Sequence, residues 1–466
     1  MIDSKQIKKN VSLTISVQIV SFFVSLVMNL LLPKFIDEEQ YSYWQTFLLY
    51  VSYVPLLHLG ILDGLMLRYS QYDYNELDKP LVRSQFTLFF LMELLFALFL
   101  IVGSFFVSNE IARLIVAFSG IAVISTNLFT YTSYTFQLTN RISKYAKLVL
   151  LDKLVLGVGV IVLMVVGAKY FYQVCYVYFA APFIAIAWGY FHNKELYFGK
   201  IEPLKKAVYE YKENLISGFM LLVANLSSMF MVGGAKMVVQ WRYDTLLFGQ
   251  IAFAFNVSHI FLTFITAASV ALFPSIKRIQ PEKLPDFYEK IRSSMSLILF
   301  VALVLYFPCY KVLQFWLPNY AESLVYLGIL MPIIIFSSKV TLLTNNYLKA
   351  YRKEKTMLKI NLVSVIFAFA SYLVCAYGLN SVILLLLCLD LVIMFRSIIS
   401  EVVVMKLIQK NFIKGFASEF LMVTAFIVCT MKLSLGIGSA VYLSILAFYL
   451  FGNRKSCASL LKFRHH

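Results

Sequence analysis

Charge is scarce in this chain, and negative charge is the scarcer sign. Only 14% of the 466 residues are charged, whereas 61% are hydrophobic, and the mean hydropathy is +0.79. A water-soluble core cannot enclose so much apolar surface, so the composition excludes a soluble protein and requires lipid as the solvent. The 24 acidic residues leave a net charge of +17. Because the basic residues are spread over many connectors, they indicate lipid headgroups and membrane topology, not nucleic acid.

Catalytic and metal-binding patterns are also missing. No Gly-rich phosphate loop precedes a helix, the five His residues are scattered, and none of the six Cys residues forms a CxxC or metal-like pair. The connectors on the predicted external side have about ten residues or fewer, which leaves no room for an extramembrane catalytic domain. We therefore predict that the chain is not an enzyme and has no cofactor and no metal site.

Apolar stretches of about 17 to 30 residues recur along the chain and are long enough to cross a bilayer. The first follows ten polar and basic residues, and its length predicts a first membrane helix rather than a cleaved signal peptide. Five prolines, at positions 55, 182, 274, 308 and 332, are expected to kink these spans. The sequence thus predicts an all-α polytopic membrane protein of about 14 transmembrane helices. The predicted spans are 11–33, 42–66, 85–107, 111–134, 146–168, 171–191, 214–237, 244–275, 293–316, 323–348, 358–377, 379–405, 413–433 and 435–452.

The basic residues alternate between connectors. Of the 41 Lys and Arg residues, 31 fall on every second connector, Arg292 among them, and seven fall on the connectors between. Positively charged loops stay on the cytoplasmic side during insertion. The pattern therefore predicts both termini in the cytoplasm, and we expect a multi-pass protein of the bacterial inner membrane.

A weak repeat with a period of about 204 residues aligns the segment from Lys8 with the segment from Lys212. Both copies begin on the predicted cytoplasmic side, so the repeat is parallel. It predicts two six-helix lobes, residues 1–196 and 197–412, followed by two extra helices at 413–453 and a basic tail at 454–466. Two such lobes are typical of transporters, in which a central cavity opens alternately to each side.

Three basic residues, Lys153, Lys339 and Arg396, lie inside the apolar spans. A charge at mid-membrane costs about 2.5 to 3.5 kcal/mol, so each should face a partner or a cavity. Lys339 lies roughly 15 Å deep at 1.5 Å per residue. Lys153 follows Asp152, but adjacent helical residues point apart and neutralise each other poorly, and Glu93 is one candidate partner. Two interpretations stay open for these lysines: a buried ion pair, or a cationic cavity for an anionic substrate.

Other titratable groups in the spans are candidates for ion coupling or for a buried charge, and these are Glu93, Asp63, Asp390, Arg396, His58 and His259. Asp390 and Arg396 are expected to find partners elsewhere in the second lobe. His58 and His259 either titrate with a proton gradient or are buried and hydrogen-bonded.

Three segments resemble the polysaccharide transporters of the multidrug/oligosaccharidyl-lipid/polysaccharide exporter superfamily, whose O-antigen flippases carry lipid-linked sugars. The likeness covers about residues 5–410, mostly as topology and spacing. The segments are AASVALFPSIKRIQPEKLPDFYEKIRSSMSLILF at 267–300, NNYLKAYRKEKTMLKINLVSVIFAFASYLV from Asn345 and HLGILDGLMLRYSQY from His58.

The resemblance implies a flippase that moves a polyprenyl-diphosphate-linked oligosaccharide, such as an O-antigen or capsule repeat unit, across the membrane. A proton or sodium ion is the candidate coupling ion, membrane lipids surround the protein, and other polysaccharide-assembly membrane proteins are candidate partners. The candidate diphosphate ligands are Lys153, Lys339, Lys34, Lys236 and Arg68, although Lys34 and Lys236 could instead reach to headgroups. The candidate polar cavity residues are Gln18, Asn225, Asn256 and Asp63.

Two alternatives remain beside the flippase. A cation-coupled multidrug exporter of the same superfamily would predict a buried carboxylate in the first helix, and that span has none. A membrane polysaccharide polymerase or acyltransferase would predict a long external loop or clustered catalytic His residues, and neither is present.

Overall fold

The computed structural model describes residues 4–278, 283–411 and 413–454, with the side chains at 4–11, 14, 224–225, 228, 263–278 and 414 left undescribed. Within these ranges the chain is built from α-helices joined by short turns, and it has no strand. The predicted all-α class is confirmed. The chain forms two compact units, Met1–Leu226 and Ser227–His466.

The first unit contains nine helices and the start of a tenth. Its main packing pairs are α5 with α6, α7 with α8, and α1 with α7. The helices are α1 (Ser4–Leu26), α2 (Leu32–Phe35), α3 (Glu38–Tyr53), α4 (Ile61–Tyr69), α5 (Lys79–Ser104), α6 (Glu110–Leu138), α7 (Ile142–Val166), α8 (Phe171–His192), α9 (Lys194–Tyr197) and α10 (Leu204–Arg242).

The described part of the second unit comprises the end of α10 and ten further α-helices. Here α17 packs on α18, α11 on α14, and α19 on α20. The helices are α11 (Thr245–Arg278), α12 (Leu284–Leu303), α13 (Tyr306–Trp316), α14 (Ser323–Leu330), α15 (Ile333–Ser338), α16 (Asn345–Ala350), α17 (Glu354–Leu373), α18 (Val382–Ile408), α19 (Ile413–Lys432) and α20 (Leu435–Gly452).

Twelve helical segments in the described part are long and apolar enough to cross a membrane, and a bent pair of helices makes up to 13. The 39-residue helix α10 covers the remaining predicted span, 214–237. Helices that satisfy every backbone group internally are one of the few structures that hydrocarbon tolerates. The count of about 14 helices therefore agrees with the sequence.

The second span is broken. After α3, Val54–Leu56 forms a single 3-10 turn that includes Pro55, and α4 then leaves at 48°. The chain between them passes through Leu59 at φ 52° and Gly60 at φ 87°, a left-handed conformation that favours glycine. The buried His58 ring fills the break, where its Nδ1 accepts a hydrogen bond from the Gly60 N–H at 3.1 Å.

Helix α10 contacts the break backbone to backbone. A Cβ atom on Gly218 would lie 1.9 Å from the Gly60 carbonyl oxygen, and one on Gly64 would lie 1.9 Å from the Asn214 carbonyl oxygen. Such a close approach requires glycine on both sides. The turn between α3 and α4 is thus held against the first half of α10.

The span Ser323–Ala350 lies at the centre of the second unit. In its most apolar 18-residue window, 89% of the residues are buried inside the protein, against 17% for α5. It is interrupted after α14 at Pro332 and contains a π-helical turn, Lys339–Thr344. A π turn shifts the register of the side chains that follow it and is frequent at functional sites. Lys339 is the first residue of this turn.

Candidate functional site

Two cations and two carboxylates form a closed ring inside the second unit, here called the charge cluster. Lys339 Nζ lies 2.8 Å from Glu401 Oε2 and 2.6 Å from Glu419 Oε2. Arg292 completes the ring, with Nε 2.7 Å from Glu401 Oε1 and Nη2 3.0 Å from Glu419 Oε1. Each cation thus contacts both acids, and the four formal charges sum to zero.

Four helical segments bring this cluster together: α12 carries Arg292, the π turn carries Lys339, α18 carries Glu401 and α19 carries Glu419. None of the four side chains is more than 8% exposed. Two hydroxyl groups also donate to the acids: Ser296 Oγ to Glu419 Oε1 and Tyr288 Oη to Glu401 Oε1. Good hydrogen bonding of this kind is what a buried ion pair needs to offset its desolvation.

The structure places Lys339 in a buried ion pair with two acids, which is one of the two interpretations of this residue. Sequence reasoning missed both partners. Glu401 and Glu419 lie within the predicted spans 379–405 and 413–433, so a carboxylate inside an apolar stretch was the available signal. Arg292 was assigned to a cytoplasmic connector, because its predicted span begins one residue after it.

Lys236, unlike Lys339, contacts no carboxylate among the described residues and lies against an aromatic ring. It lies on α10 within the second unit, partly buried, and its Nζ is 4.7 Å from the centroid of the Phe255 ring. His259, one turn further along α11, interacts with it electrostatically. No carboxylate among the described residues pairs with Lys236. Its ammonium group is stabilised by the aromatic face.

In the first unit, Lys153 pairs with its neighbour Asp152. Lys153 Nζ lies 2.9 Å from Asp152 Oδ2, and the Lys153 side chain is 35% exposed. The expectation that these adjacent residues would not neutralise each other was wrong, because the long lysine side chain bends back to the carboxylate.

The candidate pair of Lys153 and Glu93 is not among the contacts of the described residues. Glu93 has no exposed surface, and its Oε2 accepts a hydrogen bond from Asn127 Nδ2 at 2.7 Å. The same amide nitrogen donates to the Val54 carbonyl at 3.3 Å, in the break of the second span. Glu93 is therefore joined to the break, and its partner is a neutral amide.

Arg68 is held by acceptors on α10. Its Nη2 lies 2.8 Å from Glu210 Oε1, and its Nη1 donates to Asn214 Oδ1 at 2.7 Å. Gln85 continues the network, since its Oε1 accepts from Asn214 Nδ2 at 3.2 Å. The open cavity beside Arg68, about 520 Å³, is lined by both acidic and basic side chains, including Asp78 and Glu210. Its mixed charge does not favour a dianionic ligand.

Asp390 and Arg396 on α18 have different surroundings. Arg396 Nε donates to Asn361 Oδ1 at 2.9 Å. Asp390 is 4% exposed, and neither of its carboxylate oxygens has a hydrogen-bond partner among the described residues. The expectation that Asp390 pairs elsewhere in the second lobe is thus not met within the described part of the chain.

The other predicted site residues are dispersed. Lys34 and Gln18 are exposed, Asp63 is half-buried on α4, and Asn256 is half-buried one residue after Phe255. The side chain of Asn225 lies outside the described residues. No group of three or more His, Cys, Asp or Glu side chains in the described part could hold a metal ion.

Two sequence comparisons gave no match: no protein-family model and no curated protein is similar to this chain. Solved structures are similar in fold. The lipid II flippase MurJ in an inward closed conformation has 13% identity and a TM-score of 0.59, covering 96% of this chain and 99% of that chain. An inward-facing multidrug resistance MATE family transporter of the MOP superfamily has 11% identity and a TM-score of 0.59, covering 88% and 95%. At these identities the likeness shows a shared fold.

Proposed function

We propose that this chain is a transporter, and specifically a flippase for a polyprenyl-diphosphate-linked oligosaccharide in the bacterial inner membrane. The fold supports the transporter part of the proposal, since two kinds of transporter share it over nearly their whole length. The two matches have the same TM-score, 0.59, so the fold supports either kind of transporter.

Lys236 is the residue that supports an anionic substrate. Of the five cations predicted to bind the diphosphate, three have carboxylate partners: Lys153, Lys339 and Arg68. Lys236 has none among the described residues and lies about 9 Å from the end of α10, at 1.5 Å per residue. A cation at this depth marks a substrate or ion path more often than a surface role. We assign Lys236 to the diphosphate, with Lys34 as a second, exposed contact.

The test uses the full chain in vesicles that contain a polyprenyl diphosphate sugar with a fluorescent label on the sugar. Wild-type protein should move labelled sugar from one leaflet to the other faster than protein-free vesicles. A lost charge-assisted contact is worth about 1.5 to 3 kcal/mol, so Lys236→Ala should slow translocation roughly tenfold or more. Lys236→Arg should retain most of the rate because it keeps the charge.

Lys311→Ala is the matched control, because Lys311 is an exposed lysine on α13 of the same unit. Its rate should equal that of wild type. Equal rates for Lys236→Ala and Lys311→Ala would overturn the assignment of Lys236, and no translocation by the wild-type protein would overturn the flippase.

A multidrug exporter is the second candidate, and Asp390 is the observation that favours it. A buried carboxylate without a described partner is the group that a cationic drug would need. On this alternative, vesicles should accumulate or lose a cationic dye, Asp390→Asn should abolish the movement, and the lipid-linked sugar should stay in its leaflet.

A further inference from the structure

The hydrogen bonds around Glu93 leave a deficit of donors. Asn127 Nδ2 has two hydrogens, and both are used, one by Glu93 Oε2 and one by the Val54 carbonyl. Glu93 Oε1 and Asn127 Oδ1 are buried and have no hydrogen-bond partner among the described residues. The side-chain pair therefore holds two acceptors that lack a donor.

Burial makes this deficit unfavourable. Glu93 and Asn127 both have no exposed surface, and an unpaired carboxylate in a medium of low dielectric constant is strongly disfavoured. None of the ion pairs in the described part of the first unit includes Glu93. From α10, the titratable group that interacts with Glu93 is Tyr211. His58 lies at the break, where its Nδ1 accepts a hydrogen bond from the Gly60 N–H.

We propose that Glu93 and Asn127 form a proton-binding site, in which Glu93 takes up a proton from water and becomes a neutral carboxylic acid. The proton turns one acceptor into an O–H donor and removes the buried negative charge. Protonation therefore supplies the missing donor and relieves the unfavourable burial of a charge. A proton needs no further ligand, whereas a metal ion would need several more oxygen ligands than this pair offers.

The position of the site links its protonation to the break in the second span. Asn127 holds the Val54 carbonyl in the broken second span with the same nitrogen that holds Glu93. Loss of the proton leaves a carboxylate that competes for both amide hydrogens, which weakens the hold on the break. The site therefore couples a proton to the bend between α3 and α4. This use in transport rests on the proposed function, whereas the protonation of Glu93 does not.

Infrared spectroscopy tests the protonation directly, because a carboxylic acid has a carbonyl band that a carboxylate lacks. The purified full chain in lipid is compared with Glu93→Gln, which keeps the shape of the side chain and cannot ionise. Glu110→Gln is the matched control, since Glu110 is an exposed carboxyl at the start of α6. The acid band should be lost in E93Q, retained in E110Q, and should fall in wild type as the pH rises. Identical spectra for wild type and E93Q over the whole pH range would overturn the proposal.

A second variant covers the case in which E93Q does not fold. Glu93→Asp keeps an acid but shortens it by one methylene, so the band should move in frequency. An unmoved band would overturn the proposal. Replacing Na⁺ with choline at constant pH should leave the wild-type band unchanged, and a band that responds to Na⁺ would overturn it by showing a metal-ion site.

Translocation in vesicles separates this inference from the proposed function. Wild-type translocation should vary with pH, and E93Q should move the labelled lipid at a rate that does not. Absent translocation with the predicted acid band would refute the flippase and leave the proton site standing. Translocation without the band would refute the proton site and leave the flippase standing.

Discussion

The charge cluster of the second unit and the Glu93 site of the first unit both bury carboxylates in membrane spans, but they hold them in opposite ways. In the second unit, Glu401 and Glu419 share two cations in the charge cluster. In the first unit, Glu93 has the neutral amide of Asn127 and no described cation. A carboxylate with two cations is kept ionised, whereas one with an amide alone is favoured when protonated. The first arrangement suits a fixed structural joint, and the second suits a group that changes its charge.

The largest loss of stability should follow from replacing a glutamate of the charge cluster with glutamine. Glu401→Gln leaves Lys339 and Arg292 with an excess of positive charge inside the protein. Removing one partner of a buried ion pair costs about 3 to 5 kcal/mol. The free energy of unfolding, measured by denaturant titration of the purified protein in detergent, should fall by that amount.

A double variant controls for the loss of the side chain itself. Lys339→Met with Glu419→Gln removes one charge of each sign and leaves Arg292 with Glu401. Because the four groups interact, its cost should be smaller than the sum of the two single costs. Additive costs would show that the four groups of the ring are not energetically coupled, and would contradict the contrast between the charge cluster and the Glu93 site.

Backbone contact at the helix break should give the next largest effect. Gly218→Ala places a Cβ atom 1.9 Å from the Gly60 carbonyl oxygen. Overpacking of this kind costs about 1 to 3 kcal/mol. The melting temperature of the variant should fall, whereas Gly436→Ala, with no atom near its added Cβ, should melt like wild type. Equal melting temperatures for the two variants would contradict the close packing of α10 on the break.

Glu93→Gln should have a small effect on stability, in contrast to Glu401→Gln. The amide reproduces the neutral, donor-bearing form that the Glu93 site favours, so the free energy of unfolding should change by about 1 kcal/mol or less. The same denaturant titration measures both variants. A loss of unfolding free energy as large as that of Glu401→Gln would mean that Glu93 is ionised and paired, and would contradict the contrast between the Glu93 site and the charge cluster.

The smallest effect is expected for an exposed counterpart of the cluster between the same helices. Lys410, just after α18, pairs with Asp286 and Glu289 of α12 at 3.1 and 3.2 Å. Hydrogen bonds to both acids raise the pKa of Lys410 above its usual value. The pair is therefore intact below the ordinary lysine pKa, about 10.4, and is lost only as the pH rises above it.

Solvent and salt screen such pairs. Lys410→Ala should leave the melting temperature unchanged between about pH 6 and about pH 8, where lysine is charged. A clear drop that persists in high salt would show that exposed ion pairs matter here as much as the buried cluster.

The helices of this fold were predictable from the sequence because each span is long and apolar. The predicted span 171–191 matches α8, Phe171–His192, almost residue for residue. Pro55 and Pro332 mark real interruptions, whereas Pro182 lies inside the continuous helix α8. A proline removes one hydrogen bond, and whether the helix then breaks depends on what packs against it.

The partners of the buried charges could not be predicted. Which helices meet at Lys339 depends on tertiary packing, and Glu401 is 62 positions away from it in sequence. Local spacing gives the wrong partner for Lys153, because the flexible side chain reaches an adjacent residue that ideal helix geometry directs elsewhere. Burial of Glu93 was predictable from its place in an apolar span, but its amide partner on the next helix was not.

Translocation measured for two substrates in the same vesicles tests the central claim most directly. The full chain is reconstituted with a sugar-labelled polyprenyl diphosphate lipid and a cationic dye, and the movement of each is recorded at one pH. The labelled lipid should cross the bilayer while the dye does not, and Lys236→Ala should slow the lipid. Movement of the dye with the lipid left in its leaflet would contradict the claim.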